Sequence, residues 1–256
     1  MDLLDLIRRR RSQRVDFLDR PITTDHVDRL VEAARWAPSP FNIQPWQLLF
    51  VTDAHRKSAL GALTRECIVD QFKDAEFLKA VAAWTRVERD EWERLGDGLL
   101  LGDQLPESSF VRALAPLLMQ HPGAASVLGK LGAGNAPGRA TERMLSDTPL
   151  ICVVWQDTSR RSPGNSGATW SLLSLGAMFQ NLLLAATELG IASQFVNAAL
   201  ERAQDRDRVR ELFRAPSSCD PVLILRLGYS SAAATTSVRR PPMQIVRWEE
   251  FGEDDA

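Results

Sequence analysis

The chain has 256 residues, enough to bury a substantial core as one α/β domain with elaborations or as two small domains. Its 45% apolar and 25% charged residues are ordinary for a globular protein, and a net charge of −2 argues against nucleic acid or an anionic membrane as partner. Cys67, Cys152 and Cys219 form no C-x-x-C pair, and His26, His55 and His121 lack H-E-x-x-H spacing, so neither a metal site nor a disulfide framework is expected. The expectation is buried thiols in a reducing cytoplasm.

The N-terminus opens with acidic Met1-Asp2-Leu3-Leu4-Asp5 and carries its arginines after the apolar residues, the reverse of a secretory signal. Leu3, Leu6, Ile7 and Arg10 recur at helical spacing and predict a first helix over residues 2 to about 11. Thr23-Thr24-Asp25 supplies cap residues for a second helix whose Val27, Leu30, Val31 and Ala34 repeat at i, i+3, i+4 and i+7, stopped by Pro38 and Pro40. Residues 48–51 predict a strand and 55–70 a helix.

Residues 74–147 differ from the rest: they hold eight of the fifteen glycines between Gly96 and Gly138, with Pro106, Pro116, Pro122 and Pro137. Helices are expected at 75–95 and 109–119, joined by glycine-rich connections. The segment reads as a long insertion within a single domain spanning 1–256, long enough to act as a lid. Trp84, Trp92, Phe77 and Val81 are expected to pack it rather than line a pocket.

Regular structure resumes at Pro149. Residues 150–155 form a continuous apolar run, typical of a strand covered on both faces. Residues 168–189 predict a long helix, apolar around most of its circumference and terminated by Gly190. Its Ser174, Gln180 and Asn181 argue for burial in protein over a membrane span. A short strand at 193–196, a helix at 206–213, a buried strand at 222–227 and an extended polar tail follow. Few strands between long helices predict an α+β or layered α/β/α architecture.

Four stretches could carry chemistry. Arg8 to Arg11, Ser12, Gln13 and Arg14 place guanidinium groups and a hydroxyl at a helix end, a phosphate-binding combination; they would equally offset the helix dipole. Ala37 to Trp46 contains Pro38, Pro40 and Pro45, which stiffen a loop that projects Ser39, Asn42 and Gln44, suited to a planar heteroaromatic ligand or to a plain turn. Glu188 to Ser193 lets backbone approach a ligand beside Gly190, or is an ordinary helix end. Arg239-Arg240 offers two more cations, or a solvated pair in a tail.

In this order the blocks resemble the nitroreductase family of FMN enzymes. The R-R-S-x-R pattern stands as Arg10-Arg11-Ser12-Gln13-Arg14, and A-P-S-x-x-N-x-Q-P-W as Ala37 to Trp46. The Q-N-L-L-L-A-A helix stands as Gln180 to Ala186 running into Leu189-Gly190-Ile191, and the strand ending L-G-Y as Leu227-Gly228-Tyr229. Arg239-Arg240-Pro241 matches the R-R-P of the tail.

The resemblance implies a layered α/β/α nitroreductase-like fold with a central mixed sheet, a long buried helix and an intertwined homodimer. It also implies that Arg10, Arg11, Ser12 and Arg14 contact the FMN phosphate and ribityl, with Arg14 nearest the ring. Arg240, with Arg239, closes on the phosphate. Pro38, Ser39 and Asn42 come from the partner subunit, and Ile191, Ala192 and Ser193 present backbone N–H groups near flavin N5 and O4. The chain departs from the pattern at Pro40, where a second serine is frequent.

The implied activity is ping-pong: hydride passes from NAD(P)H to the flavin, then to a nitroaromatic or quinone-like acceptor. No G-x-G-x-x-G, G-x-S-x-G or acid–base pair competes with that reading, since a flavin carries the chemistry itself. The alternatives are a flavin- or deazaflavin-dependent dehydrogenase of a dedicated metabolite reoxidised by oxygen, and a non-catalytic phospho-ligand-binding protein.

Overall fold

A computed structural model describes residues 2–14, 17–104, 120–232 and 236–250. They divide into two compact units: Met1–Ile68 with Asn135–Thr235, and Val69–Gly134 with Thr236–Ala256.

The first unit is built on a four-stranded sheet in the order β1-β4-β6-β5, with β1 Trp46–Val51, β4 Leu150–Asp157, β5 Ala192–Phe195 and β6 Cys219–Gly228. Every pairing among these strands is antiparallel. Among the described residues, the expected mixed character of this sheet comes from a parallel bridge between Ser12 and Ser193, outside the strands proper. Strand β6 starts earlier than its apolar run predicts, since Pro221 lies inside it. A register shift at Val154/Trp155 leaves Val222 without an opposite residue, beside Pro221, which cannot donate to the ladder.

Side chains alternate across β4, so its two faces feed two cores. Leu150, Cys152 and Val154 pack with Leu30 and Ala34 of α2 (Thr24–Arg35) and with Leu175, Met178 and Leu182 of α8 (Gly167–Glu188). Ile151, Val153 and Trp155 pack with Leu60 and Cys67 of α3 (Ala54–Gln71), Leu145 of α7 (Asn135–Ser146) and Val209 of α9 (Ala203–Phe213). Helices on both faces of one sheet make this a layered α/β/α unit.

Helix α2 begins where predicted because the Thr23 side chain accepts from the His26 N–H at 3.3 Å. Helix α8 is, among the described residues, long and apolar enough to cross a bilayer. Its buried residues are Gly167, Ser171, Ser174, Leu175, Met178, Leu182, Leu183 and Ala186, most of them along one stripe. Trp170, Leu172 and Leu173 are about half exposed, so the helix is not buried all round as its composition implies.

In the second unit the predicted helix over 75–95 is two helices, α4 (Ala75–Ala83) and α5 (Arg89–Leu95). Thr85 and Arg86 leave the helix to form the two-residue strand β2, parallel to β3 at Leu99–Leu100. That ladder takes main-chain groups a continuous helix would have used. Helix α6 (Pro122–Lys130) forms where a glycine-rich connection was expected, and so does α7 of the first unit. Tertiary packing overrides the weak glycine penalty here: α6 lies against α4, and the Ser126 hydroxyl donates to the Lys73 carbonyl at 2.6 Å. The expected helix at 109–119 lies outside the described residues. Trp92 is buried and its Nε1 donates to the Gly98 carbonyl at 3.2 Å, whereas Trp84 is mostly exposed.

Candidate functional site

Helix α1 (Leu3–Arg9) ends midway through the arginine run, and Arg10 is extended at φ −60°, ψ 120°. Arg11 turns back on the helix, donating from one terminal nitrogen to the carbonyls of Arg8 and Arg10. Part of the run therefore does satisfy the helix end, as the dipole argument predicts.

From there the chain becomes an arm along the sheet edge. Ser12 bridges Ser193 of β5, and the Gln13 N–H donates to the Ser193 carbonyl at 2.9 Å. The Gln13 side chain, itself buried, donates to the Ser230 hydroxyl at 3.2 Å. The arm closes at Phe17, which bridges Ser230, and at Leu18, whose N–H donates to the Tyr229 carbonyl at 2.8 Å. Two stretches singled out separately in the sequence, 10–14 and 191–193, are thus neighbours.

The approach to β5 is set by the end of α8. Gly190 sits at φ +70°, its N–H donating to the Thr187 carbonyl and the Ile191 N–H to the Ala186 carbonyl at 2.8 Å, a Schellman closure. Sequence reasoning offers the Ile191 N–H to a ligand; the helix end uses it instead. Ala192 and Ser193 are the remaining residues of that stretch, and Ser193 is buried.

The proline-rich loop is held by its own polar groups. Ser39 Oγ accepts from the Gln44 N–H at 3.0 Å, and the Gln44 side chain donates to Asn42 Oδ1 at 3.0 Å. Arg160 donates to the Ile43 carbonyl at 2.8 Å. Phe41, Asn42 and Gln44 all have positive φ (54°, 52° and 47°). Pro38 and Asn42 are exposed, and the Phe41 ring is 79% exposed.

Arg239 and Arg240 belong to the second unit and are exposed. Among the described residues, no group of three or more His, Cys, Asp and Glu could hold a metal ion.

The nitroreductase-family profile matches residues 7–229, a span that includes the arm, the proline loop, α8 and the L-G-Y strand end. The chain belongs to the nitroreductase family. Within it, a nitrobenzene nitroreductase from Ectopseudomonas oleovorans is 43% identical over 53 residues, which is 21% of this chain and 23% of that protein. The fold matches a nitroreductase-like protein from Bacillus cereus (TM-score 0.57, 17% identity, 98% and 97% of the two chains). It also matches an FMN-dependent nitroreductase from Clostridium difficile R20291 (0.56, 17%, 97% and 100%). A Desulfovibrio desulfuricans structure described as a nitroreductase in complex with FMN matches at 0.53, with 19% identity over 98% and 99% of the chains.

Two residues that tie the arm to the sheet escape a motif reading. Phe17 anchors the arm, and Arg226, almost fully buried on β6, reaches it from the sheet. The signal for Arg226 was present: it interrupts the apolar run Val222-Leu223-Ile224-Leu225 before Leu227. A buried arginine in a strand needs a polar reason to be there. Phe17 offers no comparable signal, because one aromatic between charged residues has no period.

Proposed function

We propose that this family member is an FMN-dependent oxidoreductase that accepts hydride from NAD(P)H and delivers it to an electron-poor acceptor, a nitroaromatic or quinone. The observation that carries the reading is the juxtaposition of the arginine arm with β5. It brings the backbone of Ser12 and Gln13, inside the run Arg10 to Arg14, against the edge strand β5, so the run's guanidinium groups and the Ser12 hydroxyl are borne by residues next to that edge. That donor set fits a ligand with a phosphate at one end and a ring rich in acceptors at the other. Bound FMN would supply hydride acceptance and release at its ring.

The protein's part is to bind and polarise. Arg10, Arg11 and Ser12 hold the phosphate and ribityl, and Arg14 sets a positive charge beside the ring, where reduction builds negative charge. Ala192 and Ser193 are assigned to the ring on the family pattern. Arg239 and Arg240 are assigned to the same phosphate on the family pattern. Pro38, Ser39 and Asn42 are assigned to the site of a second copy of the chain, making the enzyme a homodimer. What supports a second copy is apolar surface on two helices: Leu3, Leu4 and Ile7 on α1, with Trp170, Leu172 and Leu173 on α8.

The test is an absorption spectrum of purified protein with FMN, before and after anaerobic NADPH, followed by nitrofurazone or menadione. Bleaching by NADPH and recovery on adding the acceptor are expected. A protein that leaves the spectrum of free FMN unchanged overturns the reading; a bound flavin inert to NADH and NADPH replaces it with the dehydrogenase. Sedimentation at micromolar concentration should give twice the chain mass.

A further inference from the structure

Arg226 lies in register with Gln194 of β5 and Ile151 of β4, so its side chain leaves the sheet on the face opposite Ser193 and Leu227. One terminal nitrogen donates to Gln194 Oε1 at 3.0 Å and, at a longer 3.4 Å, to the backbone carbonyl of Arg14. The guanidinium lies over the Phe17 ring, 3.8 Å from its centroid. Its Nε is buried without a hydrogen-bond partner. No ion pair among the described residues includes Arg226. Burial holds its pKa down at about 10, with only partial compensation from the charge of Asp147.

For stability alone this is a poor choice of residue. A charge taken out of water with no carboxylate ion-paired to it among the described residues is unfavourable, and an apolar side chain of similar volume in the same strand run would avoid that cost. What arginine does here that leucine or methionine cannot is hold two segments at once: Arg14 of the arm and Gln194 of β5. Those are the segments to which the flavin reading assigns the cofactor.

We propose that Arg226 is a cofactor-positioning residue: stacked on Phe17, it clamps the arginine arm to β5 and thereby sets the spacing between the arm's cations and the strand edge. The proposal rests on the flavin reading for its functional consequence. The clamp itself is a property of the chain without cofactor.

Three variants of the full chain test it: Arg226→Met, Arg226→Lys and Phe17→Leu. In the FMN-free protein, Arg226→Met should leave the melting temperature unchanged or raise it, because a desolvated charge is removed. At the same time, hydrogen exchange at the arm amides of Gln13 and Leu18 should accelerate. FMN affinity should fall by about tenfold or more, and Arg226→Lys should recover most of it. Phe17→Leu keeps the charge and loses the stack, so it should show the same pattern at smaller size, and it decides the matter if Arg226→Met does not fold. Wild-type protein that binds FMN beside an Arg226→Met variant with equal affinity and unchanged exchange overturns the clamp. Wild-type protein that ignores FMN, while the variant's arm exchanges faster, overturns the flavin reading and leaves the clamp standing.

Discussion

Gly228→Ala tests how tightly the arm is docked. A Cβ built on Gly228 would lie 2.9 Å from Phe17 Cδ2 and 3.2 Å and 3.3 Å from Pro149 Cδ and Cγ. The ring cannot simply swing away, since the Arg226 guanidinium sits 3.8 Å from its centroid. Overpacking of this kind costs about 1–3 kcal/mol. Restricting the unfolded chain by replacing glycine returns about 0.4–1 kcal/mol. The net loss should be about 1–2 kcal/mol, which for a chain of this size lowers the melting temperature by about 2–4 °C. Thermal unfolding of the FMN-free protein, followed by far-UV circular dichroism, measures it. In a Phe17→Ala background the same step should be neutral or stabilising, a coupling that a double-mutant cycle isolates. A single Gly228→Ala variant as stable as wild type would refute the argument, because the ring would then have room to move.

Three further outcomes are expected. Burial pushes the Cys152 thiol up to about 12 and Cys67 up to about 11, from an ordinary 9.0, so both stay protonated in the folded chain after the unfolded chain has ionised. Their contribution is complete below pH 9.0 and is lost as pH rises toward those values; urea midpoints should decline over that window, and Cys152→Val should flatten the decline. Thr23→Ala removes the cap on α2 and should cost about 0.5–1 kcal/mol in chemical denaturation, with no change in the slope m. Phe41→Asn places a residue that tolerates positive φ at a position now held at 54°, and should raise the melting temperature by the equivalent of about 1 kcal/mol.

Much of the layered unit was legible in the residues. Continuous apolar runs marked β4 and most of β6, cap residues marked α2, and Gly190 marked the end of α8, because each of these is dictated by local periodicity or backbone sterics. Errors fell where a local rule met a distant partner. Residues 75–95 have helical composition, yet Thr85 and Arg86 pair with Leu99 and Leu100 and break the helix. Residues 122–130 and 135–146 look glycine-rich and irregular, yet they are helical. The candidate site divides the same way. Its cations and its proline loop are motifs that can be read directly; Gln13, Phe17 and Arg226, which tie the arm to the sheet, belong to no motif.

By itself, then, the order of residues determined which segments could become strands and helices and which side chains carry charge, since these follow from period, capping and chemistry along the chain. Only the tertiary structure decided that the arginine arm lies against β5 and that a buried arginine on β6 holds two segments together. Such pairings join residues about 200 positions apart. They are chosen by which surfaces pack and which polar groups would otherwise be left unsatisfied, a competition that no window of neighbouring residues contains.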